Sequence, residues 1–237
     1  MFTLVYAGGS ARFSVIMGSH GLFAGRRCGR GESNYSWYAG WSDLQPFVDE
    51  FLSANAQPRN STRVLVPGVG NDATIVDMHD YGYSRITAMD YAPEGIERCR
   101  EMLGGERLRE PQSDVDGVGV RLVVADARDL KGVFGEGSFD AVFEKGTLDA
   151  IFLSGGSDKE LACKNMEMAI SEMTNCVRPG GVWISVAAVV VDQIEASFKG
   201  RNDWEYIVEK DCLYMTEDGF TSNNIDGTLM VWKRREQ

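Results

Sequence analysis

The stretch "VLVPGVGNDATIVDM", Val64 to Met78, runs from an apolar, strand-like segment through Gly-Val-Gly into a segment with helical spacing. Gly68-Val69-Gly70-Asn71-Asp72-Ala73 satisfies the pattern G-x-G-x-x-G/A, and Asp90 follows twenty residues after Gly70. Glycines there let backbone approach a ligand closely, and the helix start offers free N–H groups. A dinucleotide would place its pyrophosphate on such a loop. A nucleoside cofactor without phosphate would pack its ribose there instead. A carboxylate at the end of the second strand accepts ribose hydroxyls in either case. The loop therefore fixes a strand–loop–helix unit and leaves the cofactor open.

Working outward, strands alternate with helices. "GWSDLQPFVDEFL" (Gly40–Leu52) has Ser42 and Gln45 at capping-box spacing and sets Leu44, Phe47, Val48, Phe51 and Leu52 on one helical face. "STRVLVPG" is nearly continuous apolar, as a buried parallel strand is. Helix "NDATIVDMHDYG", strand "RITAMD", helix "APEGIERCREML" and strand "VRLVVAD" follow, the last after a polar loop from Gly104 to Gly119. Glu110, Asp114 and Asp116 in that loop read as a solvated face. Then come strand "FDAVFEK", short helix "GTLDAIFL", and a long helix capped by Ser157 with Met166, Ile170, Met173 and Val177 at core spacing. "RPGG" ends that helix before strand "VWISVAAVVV". "WEYIVEKDCLYM" and "GTLMVWKRRE", joined by polar "TEDGFTSNNID", read as a hairpin. The expected fold class is α/β: a doubly wound, mostly parallel, seven-stranded sheet with a C-terminal antiparallel β-hairpin.

Of 237 residues, 24 are Lys or Arg and 35 are Asp or Glu, a net charge of −11 that argues against tight nucleic-acid binding. No run is long enough for a membrane span. The five cysteines form no C-x-x-C, which fits a reducing compartment, and two histidines are too few for a His-based metal site. No metal is expected. Residues 1–31 contain no acid and four arginines, a composition that resembles a mitochondrial or plastid transit peptide on an otherwise cytoplasmic protein. The expected division is a flexible or targeting segment over 1–33 and one domain over 34–237, acting as a monomer or weak dimer.

Downstream residues choose the cofactor. Asp126 closes strand three in "VVADARDL", where it can accept from an adenine amino group; "GSFDAVFEKGTLDAI" and "VRPGGVWIS" follow in order. Together with the glycine loop, Asp90 and the closing hairpin, the set resembles the Rossmann-like class I S-adenosylmethionine-dependent methyltransferases. That resemblance implies S-adenosyl-L-methionine bound by Trp37, Pro67, Gly68, Gly70, Asn71, Asp90, Tyr91, Asp126, Ala127 and Glu144. "EKGTLDA" (Glu144–Ala150) and "NYSWYAGWSDLQPFV" look like the methyltransferase-like 13 group, which includes lysine methyltransferases of elongation factor 1-alpha. That likeness implies a protein lysine as acceptor. "LVPGVG", with Pro67 before the first glycine, is closer to thiol and thiopurine methyltransferases and keeps a small-molecule acceptor (thiol, thioether or carboxylate) open. Glu144 and Asp149 are the expected catalytic carboxylates. For Glu144 the alternative is an ion pair with Lys145. Trp37 and Tyr38 are expected to cover the site.

Overall fold

A computed structural model of the protein describes residues 38–53, 57–112, 116–211 and 227–236. Seven strands form one sheet: β1 Arg63–Pro67, β2 Arg85–Asp90, β3 Arg121–Val124, β4 Phe139–Lys145, β5 Val177–Ala187, β6 Trp204–Asp211 and β7 Thr228–Arg234. Their order is β3-β2-β1-β4-β5-β7-β6. The first five run parallel, and β7 is antiparallel to both β5 and β6. The expected sheet and its closing hairpin are present. The segment "TEDGFTSNNID" lies outside the described residues.

Helices cover both faces, and the alternation of side chains along each strand says which. Val64, Val66, Ala141 and Phe143 face α1 (Trp41–Ser53), α2 (Thr74–Asp80) and α3 (Pro93–Arg107), packing on Leu44, Val48, Ile75 and Ile96. Leu65, Val142 and Trp183 face α4 (Thr147–Leu153), α5 (Lys159–Cys176) and α6 (Val191–Lys199), packing on Leu148, Met166, Ile170, Met173 and Phe198. Met166 and Met173 of α5 are core, as their spacing predicts, while Met168 is exposed.

Several local expectations are corrected. Asp158, not Ser157, caps α5: its carboxylate accepts from Leu161 N at 3.0 Å. Gln45 does not close a capping box but donates to the Tyr81 hydroxyl at 2.7 Å. "RPGG" belongs to β5, where the register jumps from Phe139↔Val177 to Ala141↔Val182, so these residues bulge out beside β4. A Cβ on Gly181 would lie 2.5 Å from Val177 Cγ1, which is why that bulge needs glycine. The second half of "VWISVAAVVV" leaves the sheet after Ala187 and turns into α6, a helix the apolar run concealed. Finally, α3 breaks helical geometry at Gly104 (φ 65°), where the sequence pattern ends it.

Candidate active site

The C-terminal ends of β1, β2, β3 and β4 meet at one edge of the sheet, where open α/β sheets bind ligands. After Pro67 the chain turns through Gly68 (φ 62°) and Gly70 (φ 53°) into α2. A Cβ on Gly68 would sit 2.5 Å from Thr147 Oγ1, so the glycine permits β1 and α4 to close on each other. At Gly70 a Cβ would meet nothing nearer than 4.0 Å; that glycine leaves open space beside the loop. Val69 N donates to Met89 O at 3.1 Å, tying the loop to β2. Asp72 Oδ1 accepts from Thr74 N (2.9 Å) and Thr74 Oγ1 (2.6 Å), starting α2. Asp72 Oδ2 pairs with Lys145, at the end of β4. Asn71 is half-buried in the same turn.

Asp90 ends β2 and is buried. Its Oδ2 accepts from Gly70 N at 2.8 Å and its Oδ1 from Ala92 N at 2.9 Å. Each carboxylate oxygen has two acceptor positions, so both keep one for a ligand hydroxyl. Gly95 on α3 lies against it; a Cβ there would stand 3.2 Å from Asp90 Cγ. Cys99 donates from Sγ to Gly70 O at 3.1 Å, and burial pushes its thiol up to about 12, Asp90 and Asp72 adding to the effect. Beside Asp90, Tyr91 is 64% exposed. Asp126 stands after β3, half-exposed, held by Arg128: Nη2 donates to Oδ2 at 2.6 Å and Nε to Oδ1 at 3.0 Å. The Arg128 hydrogen bond holds the Asp126 carboxyl below its ordinary range. Ala127 is buried behind it.

The two expected catalytic carboxylates lie beneath this edge. Glu144 is fully buried. Its Oε2 accepts from Thr147 N (3.1 Å) and Leu148 N (3.2 Å), closing the start of α4, and its Oε1 takes the Ser185 hydroxyl. Burial pushes Glu144 up to about 8, with the Asp149 charge adding to it. Lys145 makes its ion pair with Asp72, not with Glu144. Asp149, also buried, accepts from Ala188 N (3.0 Å), Val189 N (3.0 Å), Val190 N (2.9 Å) and the Tyr38 hydroxyl (2.6 Å). Those four bonds fill its capacity and clamp the turn after β5 onto α4. Tyr38 is held there with φ 66°, unusual for a bulky residue. Trp37 lies outside the described residues.

Three contributors have little or no signal in the sequence. Thr147 donates to Pro67 O at 2.8 Å across eighty residues, and only its place inside "EKGTLDA" hints at it. Ser185 looks like any strand residue, and Lys145 gives no sign of its partner.

The same edge can therefore hold a nucleoside: an open glycine loop, a buried carboxylate at Asp90 with acceptor positions to spare, and a second acid at Asp126. Among the described residues no cluster suited to a metal ion is present, and no helix is long and apolar enough to cross a membrane. A family model described as "Methyltransferase domain" matches residues 65–185. A SAM-dependent methyltransferase from Methanosarcina mazei superposes with a TM-score of 0.56 at 15% identity, over 81% of this chain and 98% of that one. The N-methyltransferase NodS of Bradyrhizobium japonicum WM9, in complex with S-adenosyl-L-homocysteine, gives 0.56 at 14% identity over 82% and 87%. These likenesses concern the fold. In sequence, 73 residues are 27% identical to the eEF1A lysine and N-terminal methyltransferase homolog of Drosophila melanogaster, 31% of this chain and only 10% of that protein. With its matched region running from β1 into β5, the chain belongs to the methyltransferase domain family.

Proposed function

We propose that the protein transfers a methyl group from S-adenosylmethionine to the amino nitrogen of a lysine on another protein. The observation that carries the cofactor is Asp90, which keeps one free acceptor position on each oxygen, facing a glycine loop with open space at Gly70. Asp90 would take the ribose hydroxyls. Gly68, Gly70 and Asn71 would line the methionyl side, Pro67 would back that wall, and Asp126 and Ala127 would meet the adenine, with Tyr91 over it. Bound there, S-adenosylmethionine supplies an electrophilic methyl on sulfonium sulfur. The protein's work is alignment and exclusion of water.

A lysine must lose a proton before attack, its ordinary pKa being about 10.4. Glu144 is sealed beneath α4 and holds its own proton near neutral pH; Asp149 has no acceptor position left. We assign both as positioning residues, with the lysine proton leaving to water. Glu144 seats α4, and Asp149 orients the turn Ala188–Val190 that borders the site. Glu144→Gln is expected to keep the wild-type rise of kcat with pH and to lose less than about tenfold in kcat, whereas removal of a general base costs about 10²–10⁴. Loss of that rising limb would make Glu144 the base.

The lysine acceptor is supported by "EKGTLDA" and by the name of the Drosophila relative. Incubation with a lysate and tritiated S-adenosylmethionine is expected to label a protein band at lysine. Label found only in extractable small molecules would replace this reading with small-molecule methylation, the direction in which "LVPGVG" leans. For the cofactor, Asp90→Ala is expected to weaken S-adenosylmethionine binding by roughly tenfold or more, as loss of charge-assisted hydrogen bonds does. Unchanged affinity by calorimetry would refute the ribose assignment.

A further inference from the structure

At the opposite edge of the sheet, where β1 to β4 begin, lies a cavity of about 310 Å³. Four arginines line it: Arg63, Arg85, Arg109 and Arg121. The register explains the convergence. Arg63 pairs with Arg85 on neighbouring strands, and Thr87, two residues on, pairs with Arg121. In-register residues and residues two apart share one face of a sheet, so Arg63, Arg85 and Arg121 all project to the same side. On that side the crossover from β3 to β4 contains no helix. The cavity occupies the space a crossover helix would cover, and Val133, Phe134 and Phe139 form its apolar wall.

Among the described residues, the charges there are incompletely balanced. Arg63 is neutralised by Asp140, with Nε to Oδ2 at 3.1 Å and Nη2 to Oδ1 at 3.2 Å. Asp140 also serves Arg178. Arg109 is buried and donates from Nη2 to Gly119 O at 3.2 Å. Asp116, exposed as expected of a solvated face, is the single acid among the described residues lining the cavity. Arg85 has its Nε buried without a hydrogen-bond partner, and among the described residues no ion pair engages Arg85 or Arg121; Arg121 lies 5.8 Å from the Phe134 ring centroid. Burying a guanidinium without a counter-charge is unfavourable, and several side by side repel one another. In a chain of net charge −11, such a cluster is a local feature and not a reflection of overall composition.

We propose that this cavity binds a phosphate group, free or as the monoester of a small organic molecule. Guanidinium forks match phosphate oxygens bidentately, and a phosphate dianion offsets more of the surplus charge than one carboxylate does. The volume falls in the range of small-ligand sites, and the Phe134–Phe139 wall offers apolar cover for an ester group. The site is separate from the proposed methyl-transfer edge.

Calorimetric titration with inorganic phosphate and with phenyl phosphate, at ionic strength fixed with sodium chloride, tests it. Saturable binding is expected, weakened roughly tenfold or more in Arg85→Gln and in Arg121→Gln. Tighter binding of phenyl phosphate identifies an ester as ligand; equal binding identifies free phosphate. Melting by circular dichroism establishes that each variant folds, so a failure of one leaves the other as the test. The proposal is overturned if neither compound saturates, if both variants bind like wild type, if benzoate binds as well as phenyl phosphate, or if only an oligonucleotide binds.

Discussion

At the scale of single residues, the two loop glycines carry different demands. Gly68 and Gly70 both have positive φ, which costs an L-residue roughly 1–2 kcal/mol. Only Gly68 also faces a wall, Thr147 Oγ1 at 2.5 Å from a built Cβ. Gly68→Ala is therefore expected to destabilise by more than Gly70→Ala, which should cost about 1 kcal/mol and fold normally. Urea denaturation of the two variants checks the order, and equal costs would mean that Thr147 does not press on the loop. The place of Asp90, at the end of β2 beside the glycine loop, was legible from its distance to the glycines, because the pattern is local to one strand–helix–strand unit. The contacts of Glu144 and Asp149 were not. The sequence marks them as acids near a strand end, but their partners, Ser185 and the Ala188–Val190 amides, come from β5 and the turn after it, about forty residues away.

At the scale of elements, the junction of β4 and α4 holds the site edge together. Thr147 joins it to β1, Lys145 to the glycine loop before α2, Glu144 to β5, and Asp149 to the turn after β5. Asp149→Ala would leave three backbone N–H groups and the Tyr38 hydroxyl without their acceptor. An unsatisfied buried donor costs about 1–3 kcal/mol, so the loss is expected to reach several kcal/mol, far above the roughly 1 kcal/mol of Tyr38→Phe, which removes one bond and keeps the ring. Chemical denaturation measures both; similar values would mean the turn finds other partners. Strands β1, β2 and β4 were legible because buried parallel strands read as apolar runs bounded by turn residues. Helix α6 was hidden because Val189 to Val191 continue the apolar run of β5 without a break in composition, and the departure from the sheet is set by Asp149 gripping the backbone there.

At the scale of the whole molecule, the doubly wound sheet was readable from the alternation of strands and helices, while the arginine cavity was not. It depends on the register of three strands and on a crossover without a helix, neither of which a linear pattern states. The fold also sets two opposed responses to pH. Burial works against the Asp140 charge, but Arg63 and Arg178 outweigh it and hold that carboxyl below its ordinary range. The stability it adds is present above the unfolded-state value and is lost as pH falls through the folded one. Asp80, held low by Arg107, and Asp126, held low by Arg128, act in the same direction with smaller effect because they are exposed. Glu144 has the opposite sign. Its pKa rises from 4.5 to about 8 on folding, so its contribution is full below 4.5 and is lost as pH climbs towards 8. Stability is therefore expected to peak at mildly acidic pH and to decline between about 5 and 8. In Glu144→Gln, which keeps an acceptor for Thr147 N and Leu148 N and carries no charge, the decline over that interval should flatten while the acid limb set by Asp140 remains. Urea unfolding of wild type and variant across this range gives both curves. Parallel curves from pH 5 to 8 would show that Glu144 does not ionise in the folded protein over that interval differently from the unfolded chain, and would overturn its raised pKa.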